Sequence, residues 1–307
     1  MSRELDLHDH MHNIEAAGDD LAALYTAGAA GAVALAFRAT DEMIGLPPVD
    51  EELLGRASAR ILAALQRCAE AGEPRAWGMM AEAVAGEDPD RALEWWEKGA
   101  VAGDDAARLA LVRGLWSRQD RGALARVRGL LVAAVLAGRS CGAEERYLGW
   151  FAIHGIGCEV DEAESVRWEL AGAAKGDADA MFEMYVLRST GKGCELDEED
   201  ALRWCQRAAE AGSARAMSNL GGFYATGHGV PMDLERAIDW YRRAADAGSG
   251  RAAANLGVMA AVGEGMPADD EAARGWFQRA EALGYPWWDM VDAAGLDPEA
   301  YAANDEL

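Results

Sequence analysis

The chain has 307 residues, with 53 acids against 29 bases and a formal charge of −24. So acidic a surface repels nucleic acid and anionic membranes, and it favours solubility and cationic partners. About half of the residues are apolar; Ala, Leu, Glu and Arg dominate while β-branched residues are sparse, which sets the expectation of an all-α protein with a large core.

The first ten residues, MSRELDLHDH, show no basic region leading into an apolar stretch, so no secretory signal is expected and the expected compartment is the cytoplasm. His8, His10 and His12 alternate there beside Asp6 and Asp9. Alternate residues can chelate a metal from an extended segment but diverge on a helix. The cluster therefore reads as a flexible terminus with adventitious metal binding only. Leu21–Phe37 carries no charge, but Asp19 and Asp20 precede it in place of Lys or Arg. It reads as a packed helix and not as a membrane anchor. "GLPPVD" at Gly45–Asp50 reads as a degenerate turn, and "QRCAEAG" ending at Gly72 echoes "QRAAEAG" ending at Gly212. Residues 1–72 are thus expected to form an N-terminal helical cap with a degenerate repeat.

Residues 73–103 keep Ala76, Met80, Ala92, Trp95 and Gly103 at helix-pair spacing, and 104–138 keep Ala107, Leu111, Leu115 and Gly138. These read as two degenerate helical repeats. The second holds seven Arg against three Asp between Asp104 and Arg139. Such a run is most often a solvated helix face. From 139 to 284 the pattern becomes strict. Trp168, Trp204, Trp240 and Trp276 are spaced at thirty-six, as are Gly155, Gly191, Gly227 and Gly263, then Gly157, Gly193, Gly229 and Gly265. A fixed period of this length marks a repeat array. In one unit Ala216, Leu220 and Tyr224 form the stripe of a first helix, and Gly227 and Gly229 end it. Asp233 is the expected N-cap of a second helix, whose apolar face is Ala237, Trp240, Tyr241, Ala244 and Ala245. One such pair cannot bury both faces, so the units must stack. Residues 285–307, with Trp287, Trp288, six acids and no base, read as a capping helix and acidic tail.

The motif A-x-x-x-L-G-x-x-Y-x-x-G-x-G-V, followed by D-x-x-x-A-x-x-W and A-A-x-x-G, resembles the Sel-1-like repeat, a relative of the tetratricopeptide repeat with a longer glycine turn. Residues 213–248 match it almost fully, and 249–284 differ at Ala260. Residues 177–212 depart at Tyr185, where the first-helix Gly is expected, and at Arg188 in place of Tyr. A stripe-position Arg must pair, and Glu159, Glu183 or an acid of the adjacent second helix are its candidate partners. The resemblance implies an α-solenoid, a right-handed superhelix of stacked helix-turn-helix units.

No catalytic site, cofactor or metal site is assigned. Gly138-Arg139-Ser140-Cys141-Gly142 matches G-x-S-x-G, and the apolar run Leu130–Leu136 before it has a strand-like composition. A nucleophile elbow, however, needs a strand–turn–helix in an α/β sheet, and here a helical unit is expected on each side. The five cysteines contain no CxxC pair; Cys158 and Cys194, at equivalent places after a glycine turn, read as buried free thiols.

Recognition remains. Tetratricopeptide geometry, which the resemblance implies, places one side of each first helix in a concave groove. The groove residues are then Trp116, Arg146, Trp150, Phe182, Val186, Arg215, Asn219, Arg251, Asn255 and Val258. The aromatics and valines would form an apolar strip. Each repeated Arg–Asn pair would read a carboxylate and the backbone of an extended peptide. The expected function is a protein-interaction module, an adaptor or scaffold for a protein or peptide, with a basic partner favoured by the charge. One alternative is a specific inhibitor or immunity protein for a basic toxin, a role that proteins resembling this family often fill in bacteria. The other is an enzyme acting on a small acyl or β-lactam compound. The oligomeric state is left open.

Overall fold

The computed structural model describes residues 2–17, 20–36 and 51–301. Phe37, the Gly45–Asp50 turn and the last six residues of the acidic tail lie outside the described residues. Among those described, every element is helical. The chain divides into two compact units: residues 1–140 with 156–158, and residues 141–155 with 159–307.

The second unit contains four successive helix pairs: α8 (Ala143–His154) with α9 (Glu162–Ala174), α10 (Ala178–Thr190) with α11 (Glu198–Glu210), α12 (Ala214–Thr226) with α13 (Leu234–Asp246), and α14 (Gly250–Val262) with α15 (Asp270–Ala282). Each helix packs on the next in the chain, which makes this unit an α-solenoid. The first helix of each pair ends on a left-handed glycine: Gly155, Gly191, Gly227 or Gly263. An aspartate then caps the second helix; Asp197 accepts from Asp200 N at 2.9 Å and Asp233 from Arg236 N at 3.0 Å. The backbone N–H of that same aspartate closes the turn on the preceding helix, Asp197 to Arg188 O at 3.0 Å and Asp233 to Tyr224 O at 2.9 Å. Gly193 is required twice over. Its φ is +67°, and a Cβ would stand 2.2 Å from the carbonyl oxygen of Glu162.

The periodic tryptophans are not the centre of the core. Trp240, expected on the buried face, is half-buried beneath the guanidinium of Arg243, 4.0 Å from its ring centroid, and Trp204 lies likewise 4.3 Å beneath Arg207. The buried large residue is the next one along. Tyr241 fills the space left by Gly221, and Phe277 the space left by Gly257. In the departing repeat the sizes are exchanged: Tyr185 stands at the glycine position and buried Cys205 at the aromatic one. Arg188, the second departure, has its Nε 3.0 Å from Asp200 Oδ2 on α11, within the set of partners named for it. Beyond α15, α16 (Trp288–Ala293) and a 3-10 turn (Pro298–Ala300) close the end. Trp287 stacks on Phe277, and Tyr301 donates to Asp270 Oδ1 at 3.0 Å.

The first unit holds α1 (Ser2–Ala17), α2 (Leu21–Ala36), α3 (Glu51–Glu70), α4 (Pro74–Val84), α5 (Pro89–Ala102), α6 (Asp105–Ser117) and α7 (Arg121–Leu136). Met11, Leu24, Ile61, Leu65 and Met80 form its core. The histidine cluster lies on α1, so the expectation of a flexible terminus is corrected. Buried Met11 and an ion pair between Glu15 and Arg60 join that helix to α3. Among the described residues no helix is long and apolar enough to cross a membrane. The run Leu130–Leu136 belongs to α7, so the G-x-S-x-G segment follows a helix and lacks the strand an elbow needs. Cys158 and Cys194 are half-buried, not buried: each sits at a turn edge with Sγ 3.6 Å from a backbone carbonyl, Ile156 and Leu187 respectively.

Candidate partner-binding surface

In the second unit, arginines link one first helix to another. Arg146 on α8 places Nε 3.3 Å from Asp177 Oδ1 at the start of α10. Arg215 on α12 reaches back to Glu183 at 2.6 Å, and its guanidinium lies over the ring of Phe182 at 4.2 Å. Arg251 on α14 reaches back to Ser218 at 3.2 Å and to Asn219. The structure thus brings Phe182 together with Arg215, and Asn219 with Arg251. Residue spacing alone does not reveal that Arg215 and Arg251 reach back one repeat.

The remaining candidates differ in access. Phe182 is 5% exposed, which corrects its expected place as a groove anchor: it is packed into the core and roofed by Arg215. Trp150 is half-buried and stacks on exposed His154, with centroids 4.1 Å apart. Val186 and Val258 are half-buried against the core. Asn255 donates to the carbonyl of Arg251 on its own helix at 3.1 Å. Trp116 stands on α6 in the first unit, 38% exposed.

Two features were missed from the sequence. Glu169 on α9 occupies the position of Tyr241 and Phe277, with its Oε1 over Gly149. It is 2% exposed, and its Oε2 has no hydrogen-bond partner. Burial first, then the carboxylate of Glu183, push its pKa up to about 10 against the pull of Arg146, so it is neutral at pH 7. The second feature is a cavity of about 430 Å³ where Tyr185, Phe223 and His228 meet above Leu202, with Glu198 and Glu199 at its edge. Tyr185 and Phe223 approach edge-on at 6.1 Å, and Phe223 and His228 stand 5.6 Å apart. The only signal in the sequence was Tyr185 itself, a bulky residue where glycine is the rule.

The family model for the Sel1 repeat matches residues 84–104, 145–177, 178–213, 214–249 and 250–285, more than half of the chain. The chain belongs to the Sel1 repeat family. Among solved structures it is similar to a Sel1 repeat protein from Oxalobacter formigenes, with 23% identity over 92% of this chain and 84% of that one and a TM-score of 0.63. It is also similar to a protective antigen of uropathogenic Escherichia coli strains with an SLR fold, at 18% identity over 91% of this chain and 64% of that one, TM-score 0.50. An immunity protein from Pseudomonas aeruginosa matches at 16% identity over 79% of this chain and 86% of that one, with a TM-score of only 0.35. No curated protein matches the sequence. At these identities the likeness concerns the fold alone. Sel1 repeat proteins are generally protein-interaction modules. The stretch between the first two Sel1 matches has its own physical signature. Residues 118–120 join α6 to α7 with left-handed Gln119 (φ 55°), where the Sel1 turn at 155–161 opens on glycines.

Proposed function

We propose that this Sel1 repeat protein is an adaptor or scaffold that holds a segment of a partner protein along the first helices of its second unit. The observation that carries the reading is the series of inter-repeat links Arg146–Asp177, Arg215–Glu183 and Arg251–Asn219. Charged groups shared between successive helices pre-organise a surface, which lowers the ordering cost of binding. Half-buried Trp150, Val186 and Val258 offer apolar contact beside them. The arginines are already engaged, so a partner carboxylate must compete for them. The formal charge of −24 favours a basic partner instead.

The test is affinity capture from the native host's lysate with wild type and a Trp150→Ala, Val258→Ala double variant of matched melting temperature. A basic protein held by wild type, lost from the variant and weakened by salt is the expected result. Equal retention by both proteins would remove the groove reading. A salt-insensitive acidic partner would remove the electrostatic part.

A further inference from the structure

The first unit contains a cavity that the groove reading does not involve. A cavity of about 580 Å³ opens among α2, α4, α5 and α6. Its walls include Met79 and Trp96, whose buried Nε1–H has no acceptor. Its charged groups are Glu73, Glu82, Asp104 and Asp105 against one base, Arg75. Asp105 is already neutralised, 2.9 Å from Arg108 and 3.6 Å from Arg139. Glu73, Glu82 and Asp104 remain against Arg75, an excess of two negative charges.

Asp104 is the telling residue. It is 6% exposed, and its Oδ1 caps α6 by accepting from Ala106 N at 3.0 Å. Its Oδ2 stands over Gly78, so close that a Cβ there would be 2.4 Å away. Among the described residues no donor or cation meets that oxygen. A buried carboxylate without a counter-charge is costly. The second unit supplies one at the matching place. Asp177 caps α10 as Asp104 caps α6, accepting from Ala180 N at 2.7 Å, and Arg146 of the preceding first helix lies beside it at 3.3 Å. Arg146 stands two residues before buried Leu148; the residue two before buried Met80 is Gly78. The first unit therefore keeps the capping acid, buries it more deeply, has glycine in place of the arginine and leaves a cavity beside it.

We propose that this cavity binds a guanidinium group, with Asp104 Oδ2 as its acceptor, Glu73 and Glu82 supplying the surrounding negative field, and the Trp96 ring as a flat wall. A guanidinium entering from outside takes the place that the Arg146 side chain fills in the second unit. Its flat cationic face stacks on an aromatic ring while an N–H donates to the free carboxylate oxygen. The group is carried either by an arginine side chain of a partner or by a free alkylguanidine.

Isothermal titration calorimetry at fixed ionic strength distinguishes these sources. The probes are agmatine, the blocked tripeptide acetyl-Gly-Arg-Gly-amide, and its citrulline counterpart as a neutral control. Saturable binding of a guanidinium probe, weakened at least tenfold in Asp104→Asn and absent for citrulline, is expected. Asparagine keeps the helix cap, so Asp104→Asn removes charge without removing the fold. Glu82→Gln, at the cavity wall, should weaken binding severalfold and gives a second reading. Tighter binding of the tripeptide assigns the site to a partner's arginine, and equal or tighter binding of agmatine assigns it to a free guanidine. No saturable binding of either probe, or the same affinity in wild type and Asp104→Asn, overturns the proposal.

Discussion

Glu169 shows how one side chain can set a pH response. Its carboxyl is held at about 10 in the folded chain against an ordinary value of 4.5. Between those values the folded state keeps a proton that the unfolded state sheds. The contribution of Glu169 to stability is therefore fully present below 4.5 and falls as pH rises toward 10, by up to about 1.4 kcal/mol per pH unit. Glu169→Gln, neutral throughout, should melt above wild type at pH 8, with the difference shrinking toward pH 5. A difference that stays constant across that range in calorimetry would show that Glu169 is not the titrating group. A second residue-scale prediction concerns the exchanged pair. Cys205→Tyr places two large side chains against each other and should lower the stability read from urea melts by about 1–3 kcal/mol. Adding Tyr185→Gly should recover most of that loss, because it recreates the Gly221–Tyr241 arrangement. Additive losses would show that the two positions do not share one space. Tyr185 was legible in the sequence as an irregularity, but Cys205 as its complement was not, since only the packed pair of helices shows which residues face each other.

The turn is the element that the sequence specified best, because its requirements are local. Left-handed glycines and a capping aspartate recur at thirty-six residues and need no knowledge of neighbours. The exception is informative. Gly176 and Gly193 both have positive φ, yet a Cβ at Gly176 meets nothing within 4 Å, whereas one at Gly193 meets the carbonyl of Glu162. Gly176→Ala should therefore cost only the conformational term, about 1–2 kcal/mol. Gly193→Ala should cost clearly more, as urea melts of the two variants would show; equal costs would mean that the preceding helix gives way freely. The same contrast explains the candidate surface. The position of Arg215 or Arg251 on its helix was readable, whereas its partner on the previous repeat was not. Phe182 was misplaced for that reason: its roof, Arg215, comes from thirty-three residues further along.

On the scale of the molecule, neighbour-only packing makes stability in the second unit a sum of local terms. Its final repeat has no successor, and Trp287 stacked on Phe277 does the closing. Trp287→Ala should strip hydrogen-exchange protection from α14 and α15 first while α8 and α9 keep theirs; uniform loss would indicate that the unit unfolds as one. The exchange of sizes between Tyr185 and Cys205 has a further consequence, for heredity. Each large residue and the gap that receives it lie in one repeat, twenty positions apart, as do Gly221 with Tyr241 and Gly257 with Phe277. Unequal crossing-over in a register of thirty-six codons carries both members together when its breakpoint falls outside those twenty positions. Only such exchanges lengthen or shorten the gene by whole units with each large residue still facing its own gap; a breakpoint between the two codons sets tyrosine against tyrosine or leaves a void.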